Sequence, residues 1–143
     1  VIKYTSIEDM AAHHEGLRYK IYLCTGDKRT IGYGRNLDDR GISKDEAELM
    51  LKNDIKIARY DLESNAGYYY HNIDTTRQAV LIDMVLNLGW PRFSKFKKMA
   101  QALRSSDYEL AAVEMLDSRW ATQVGNRAIE LAEMMLTGEW PEV

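Results

Sequence analysis

A single cysteine stands in this chain of 143 residues, so no internal disulfide can form and the fold does not depend on an oxidising compartment. Two prolines and nine glycines are too few for a low-complexity or disordered chain. No apolar run approaches the roughly 20 residues that a membrane-crossing helix needs, so no stable membrane insertion is expected of this chain. Histidine is scarce, and His13 and His14 are neighbours that face different directions on a helix; with one cysteine they make no metal set, and neither metal nor cofactor is expected. Positive charge is not in excess. The formal net charge of −3 excludes general affinity for nucleic acid or for anionic membranes. No signal-peptide pattern opens the chain, which starts at Val1 rather than Met, and this leaves an upstream secretion or anchor segment open.

What is present is ordinary globular composition, 45% hydrophobic and 29% charged, enough for one domain or two small lobes sharing a core. Thr5 or Ser6 can cap a first helix carrying Ile7, Met10 and Ala11, which ends near Glu15-Gly16. Residues 18–37 read as a β-ribbon, with Tyr19, Ile21 and Leu23 alternating and Thr25-Gly26-Asp27 turning. Ser43 to Glu46 is a capping box. The long helix it opens carries Ala47, Leu51, Ile55, Ala58 and Leu62 on one face and runs to about Ser64, with a tyrosine-rich loop over 65–74. Thr75 to Gln78 reads as a second capping box before the most apolar helix, with Val80, Leu81, Met84, Val85 and Leu88 in one stripe closed by Gly89. A helix starting at Pro91 and reaching Leu103, one capped by Asp107, and one over 126–136 stopped by Gly138 complete the chain. The expectation is an α+β, mostly helical protein. Its N-terminal lobe spans about 12–64 with the ribbon at 18–37, a long helix connects the lobes, and a helical C-terminal lobe spans about 65–143 with the first helix, 5–15, packed on it.

Between Pro91 and Arg104 lie Arg92, Lys95, Lys97, Lys98 and Arg104 with no acid among them, and the next stretch holds Asp107, Glu109, Glu114 and Asp117. A solvated, mutually compensating surface and a basic face turned to an anionic wall are equally open readings of this pattern.

The chemistry concentrates in Glu15 to Gly34. An acid at a helix end, a thiol after eight residues and a hydroxyl after five more supply a proton donor, a second ionisable group and a holder for water, the parts that glycoside hydrolysis needs. Singly, each has a plain alternative: a solvated charge, a small buried apolar side chain, a strand filler. Together, with Gly16-Leu17-Arg18 after the acid and Thr30-Ile31-Gly32-Tyr33-Gly34 closing the ribbon, the functional reading prevails.

This order and spacing resemble the catalytic segment of the phage-type lysozymes, the endolysins of T-even and related phages. The resemblance extends to Ile42 to Glu48, to Asn87-Leu88-Gly89, to Ser118-Arg119-Trp120 with Asn126-Arg127-Ala128, and to Thr137 to Trp140. It implies a two-lobe lysozyme-like fold in which Glu15 is the general acid, Arg127 pairs with and orients it, and Thr30 sits beside the attacking water. At the position of Cys24 the best-known members carry Asp, and Cys also occurs. Asn36, Leu86 and Asn87 are candidate substrate contacts. Two departures stand out: Asp38 to Gly41 is a much shorter segment than in the T-even enzymes, and Met99 and Glu114 fall at positions that are polar there.

The activity so implied is a muramidase, cutting the β-1,4 bond between N-acetylmuramic acid and N-acetylglucosamine in bacterial peptidoglycan. The protein would be made in the host bacterial cytoplasm and act on the wall in the periplasm during host-cell lysis, as a monomer. A lytic transglycosylase, which needs one acid and no water, and a wall-binding module that has lost its chemistry are the alternatives. Cys24 could attack the anomeric carbon as a thiolate or activate a water. A free thiol is only ~3% ionised at pH 7, and Lys20, Lys28 and Arg29 are the charges expected to raise that fraction.

Overall fold

In a computed structural model, which describes residues 1–142, the chain is mostly helical with one three-stranded antiparallel sheet, as the α+β expectation requires. It divides into two compact units, Val1–Met50 and Leu51–Val143.

In the first unit, α1 (Ile7–Glu15) is capped by Ser6, whose Oγ accepts from the Asp9 amide at 3.0 Å, and it ends where Gly16 takes a positive φ of 71°. Strands β1 (Arg18–Leu23), β2 (Arg29–Gly32) and β3 (Arg35–Asn36) follow in that order. Tyr22 faces Thr30 and Thr30 faces Asn36, with a bulge in β1 between Arg18 and Tyr22. The ribbon stops one residue short of the expected Leu37. Asn36 accepts from the Asp39 amide at 3.0 Å and starts a one-turn helix, α2 (Leu37–Arg40), because an Asn followed by Asp38 and Asp39 satisfies and complements a helix N-terminus.

This unit has no apolar core. Thr30 is the one buried residue among residues 1–50. Polar clamps hold it instead. Arg29 donates to Asp38 from its backbone amide at 2.7 Å and from its guanidinium at 2.6 and 2.9 Å. The Arg35 guanidinium meets both oxygens of Glu46, at 2.7 and 2.6 Å. Glu46 also accepts from the Ser43 amide at 2.8 Å while Ser43 Oγ accepts from the Glu46 amide at 3.2 Å, the reciprocal bonds of the capping box.

Helix α3 (Lys44–Tyr70) runs six residues past the expected end and absorbs half of the expected loop. Tyr69, Tyr70 and Ala66 are buried, and that burial carries the chain on in helical form. The helix kinks at Ala66 (φ −132°, ψ 17°), next to Gly67 and to Asn65, whose side chain donates back to the Asp61 carbonyl at 2.9 Å. Of the five apolar positions expected to form its buried face, Ala58 and Leu62 are buried, Ile55 is partly buried, and Ala47 and Leu51 are exposed.

In the second unit, α4 (Thr75–Leu88) is the core helix, and its whole predicted stripe is buried. Its cap is Asp74, one residue before the predicted box; Asp74 accepts from the Arg77 amide, and Gln78 instead donates to the Tyr70 carbonyl at 2.9 Å. The helix expected from Pro91 to Leu103 is two helices, α5 (Trp90–Phe93) and α6 (Lys97–Arg104). Phe93 and Phe96 turn toward the core on either side of the break. Next comes α7 (Tyr108–Leu116), capped by Asp107 as expected, then an unforeseen short helix α8 (Arg119–Val124) capped by Ser118, and α9 (Asn126–Thr137), which Gly138 ends in the left-handed region.

Arg77 ties the start of α4 to the end of α9. It donates to the Met135 and Leu136 carbonyls at 2.6 and 3.0 Å, pairs with Asp74 at 2.9 Å, and stacks 3.6 Å from the Tyr108 ring centroid. A cation on the orphan carbonyls of a helix C-terminus is favourable both as a cap and against the helix dipole.

Candidate active site

The first unit places Glu15 at the last position of α1, Cys24 just past β1, and Thr30 in β2. The Glu15 side chain lies against the β2–β3 turn. Gly34 in that turn has φ 74°, and a Cβ built on it would collide with Glu15 Oε2 and stand 3.0 Å from its carboxyl carbon. Gly34 is therefore required twice, for its backbone conformation and for the space that the carboxylate fills.

Cys24 sits in a turn closed by two backbone bonds: its amide donates to the Lys28 carbonyl at 3.0 Å, and the Asp27 amide donates to its carbonyl at 2.9 Å. The Lys28 amide, then the Gly26 amide and the Thr30 hydroxyl, direct donors at the sulfur and hold its thiol below the ordinary range against partial burial. The direction is the one expected from the sequence, but the cause differs. Amide hydrogens lower this pKa, whereas the Lys28 ammonium is paired with Asp39 at 3.3 Å and Arg29 is clamped on Asp38. Thr30 Oγ1 donates to the Lys28 carbonyl at 2.9 Å. A hydroxyl has one hydrogen, so this bond fits the neutral thiol, with Thr30 free to accept from it. Ionisation of Cys24 favours rotation of the hydroxyl toward sulfur.

Asn36 faces Thr30 across the β2–β3 ladder, but its side chain is engaged locally: Oδ1 caps α2 and Nδ2 donates to Asp39 at 2.9 Å. Within the first unit the fold thus gathers Cys24, Thr30 and Asn36 on one small sheet whose turn abuts the Glu15 carboxylate.

In the second unit, Arg127, the second residue of α9, donates through Nε to Asp83 at 3.0 Å and through Nη2 to the Asp83 carbonyl at 3.5 Å. Asp83 lies outside the motifs of the sequence. Its signal was there, as a lone acid in the most apolar helix of the chain. Gly34 lies within the Thr30-Ile31-Gly32-Tyr33-Gly34 segment, whose spacing alone gives it no role. Asn87 Oδ1 accepts from the buried Trp120 indole at 2.7 Å, which fixes the carboxamide and leaves its nitrogen as the group able to donate to a ligand. Leu86 is partly buried and packs on the core. Met99 is buried and Glu114 is partly buried, and both line a cavity of about 560 Å³ with Phe96, Lys97, Arg119 and Trp120.

Among the described residues no three His, Cys, Asp or Glu side chains come together to hold a metal ion, and no helix is long and apolar enough to cross a membrane.

Comparison with known proteins points one way. The chain is 26% identical to the probable T4-type lysozyme 2 of Dictyostelium discoideum over 96% of its own length and 98% of that protein's. It is 27% identical to the probable T4-type lysozyme 1 of the same organism, over 94% and 95% of the two chains. It is 26% identical to the pre-baseplate central spike protein Gp5 of Enterobacteria phage T4, where the match takes in 93% of this chain and 28% of the longer protein. The family model for phage lysozyme matches residues 12–133, a span that includes Glu15, Cys24, Thr30, Gly34, Asp83 and Arg127, and on that match the chain belongs to the phage lysozyme family.

Proposed function

We propose that this protein is a glycoside hydrolase that cuts the β-1,4 bond between N-acetylmuramic acid and N-acetylglucosamine in bacterial peptidoglycan, with Glu15 as general acid. The observation that carries the reading is the joint placement of a thiol held below its ordinary range, a hydroxyl within reach of it, and a carboxylate seated against the same sheet's turn. Family membership supports it.

Glu15 gives its proton to the leaving glycosidic oxygen as the bond to the anomeric carbon breaks. The electron-deficient carbon is then met in one of two ways. The Cys24 thiolate attacks it directly, and the ionised Glu15 later takes a proton from the water that releases the sugar, with retention. Alternatively, a water held by Thr30 attacks while its proton passes to the Cys24 sulfur, with inversion. A lowered thiol pKa serves both routes, because the thiolate is the nucleophile in one and the base in the other. Arg127 orients the Glu15 carboxylate, and Asp83 steadies Arg127 by its two contacts with the guanidinium. Asn36, Leu86 and Asn87 contact the glycan. The protein works as a monomer, made in the host bacterial cytoplasm and acting on the periplasmic wall during host-cell lysis.

Digestion of purified peptidoglycan with mass spectrometry of the new chain ends tests this reading, with Glu15→Gln as control. Reducing muramic acid ends that vanish in the variant are the expected result. Anhydro ends would transfer the assignment to a lytic transglycosylase. Wall binding without any new ends would leave a binding module.

A further inference from the structure

The five cations of the 91–104 stretch are not used by the chemistry above, and Arg92, Lys95, Lys97 and Lys98 line the cavity of about 560 Å³ together with Glu114 and Asp117. Among the described residues none of Arg92, Lys95, Lys97, Lys98 and Arg104 forms an ion pair, whereas Lys28, Arg29, Arg35, Arg77 and Arg127 all do. Between the kinked end of α3 and the α5–α6 segment lies a cavity of about 520 Å³, bordered by Tyr68, Tyr69, Trp90, Lys97, Gln101 and Arg104, with no carboxylate in its lining. That volume falls within the roughly 300–1,000 Å³ of small-molecule sites.

The walls are aromatic and fixed. Tyr68 and Tyr69 meet edge to face with centroids 5.1 Å apart, and Trp90 packs on Phe93 at 5.5 Å. Tyr69 is buried, while Tyr68 stays 53% exposed. Arg104 sets the exposed ring: its Nη2 donates to the Tyr68 hydroxyl at 2.6 Å, and its guanidinium carbon lies 4.5 Å from the ring centroid. The backbone explains why the cavity exists, since the kink at Ala66 redirects the last turn of α3 and the break at Ser94–Phe96 separates α5 from α6.

Aromatic faces suit the C–H face of a pyranose, side-chain amides suit an acetamido group, and a planar guanidinium beside an ammonium suits a carboxylate. A fatty acyl chain would find no aliphatic channel here, and the net charge of −3 opposes spreading on an anionic membrane or along a nucleic acid. We propose that this cavity is a second, non-catalytic subsite for the wall polymer, taking a muramoyl-peptide unit with its sugar on Tyr68 and Trp90 and its carboxylate on Arg104 and Lys97. The choice of polymer rests on the peptidoglycan reading above.

The test titrates soluble N-acetylglucosaminyl-N-acetylmuramoyl-tetrapeptide into the Glu15→Gln protein and follows the tyrosine and indole ring resonances by NMR. The expected result is a binding event at Tyr68 and Trp90 that weakens at least tenfold in Y68S/R104Q, persists in Tyr68→Phe and Arg104→Lys, and weakens when the probe's carboxylates are amidated. Unchanged binding in Y68S/R104Q, with thermal unfolding showing that the variant is folded, overturns the proposal. So does equal binding of the amidated probe. So does an absence of ring shifts with muropeptide when Tyr68 and Arg104 are needed for sedimentation with anionic phosphatidylglycerol vesicles, which would make the face a membrane contact. Peptidoglycan hydrolysis by the Glu15 protein separates the two readings: new chain ends without ring shifts sink only this subsite, and ring shifts without new ends sink only the muramidase.

Discussion

At the scale of single residues, the thiol and the glycine are the most informative. Because the Lys28 and Gly26 amides and the Thr30 hydroxyl favour the ionised sulfur, the rate of Cys24 alkylation by iodoacetamide should rise with pH through a midpoint below the ~8.5 of a free thiol. Thr30→Val removes one donor and should move that midpoint upward; an unmoved midpoint would show that the hydroxyl stays on the Lys28 carbonyl. Stoichiometric alkylation should abolish peptidoglycan hydrolysis, and full activity afterwards would end any direct role for Cys24. Gly34→Ala puts a methyl group where the Glu15 carboxylate lies and an L side chain at a φ of 74°. It should cost about 1–2 kcal/mol of stability from the backbone alone and, by displacing the acid, lower hydrolysis by on the order of 100-fold. A melt at the wild-type temperature with unreduced activity would contradict both. The spacing in the sequence makes Glu15, Cys24 and Thr30 candidates for one site. It did not show what tunes the thiol, because amide hydrogens are supplied by every residue and only the turn decides where they point.

At the scale of elements, the caps and the apolar stripe of α4 were legible and the breaks were not. Ser6, Ser43 and Asp107 are local signals, each satisfied within one helical turn, and each stands where the sequence puts it. The extension of α3 to Tyr70 and the separation of α5 from α6 depend on which aromatic side chains find room in the core, whereas the kink beside Asn65 and Gly67 and the Ser118-capped α8 have local causes that only the folded backbone makes plain. The Arg77 junction ties the start of α4 to the end of α9 across a long stretch of sequence. Arg77→Met leaves the Met135 and Leu136 carbonyls without their donor and should cost about 2–3 kcal/mol in chemical denaturation. Met84→Ala, in the fully buried centre of α4, should cost about 2–5 kcal/mol. A loss below about 0.5 kcal/mol for Arg77→Met would mean that water or another side chain takes over the carbonyls.

At the scale of the whole molecule, the two units rest on different physics. The second carries the hydrophobic core, whose buried apolar residues run from Ala58 to Met135. The first is held by charge-assisted hydrogen bonds and therefore responds to acid. The Arg35 guanidinium, with the bonds from Ser43, holds Glu46 down at about 2. A carboxyl whose folded pKa is depressed contributes stability that is fully present above its unfolded value, about 4.3, and is lost as pH falls through the folded value. Asp38, lowered first by the Arg29 guanidinium, acts in the same direction. Acid titration from about pH 4.5 to 2 should therefore release the β-ribbon amides to hydrogen exchange before those of α4. Arg35→Gln should make that release begin at higher pH. Simultaneous release of both sets of amides would show that the units unfold as one.

The sequence by itself determined the helical class, the ribbon and the core helix, because each rests on spacing within a few turns of chain or on a local cap, and by the same spacing it singles out Glu15, Cys24 and Thr30 as candidates. The tertiary structure decided that Gly34 must leave room for the acid, that Asp83 holds Arg127, and that Lys97 and Arg104 border an aromatic cavity whose lining holds no carboxylate. These three depend on which distant side chains share space once the backbone has folded. Sequence separation carries no direct record of that.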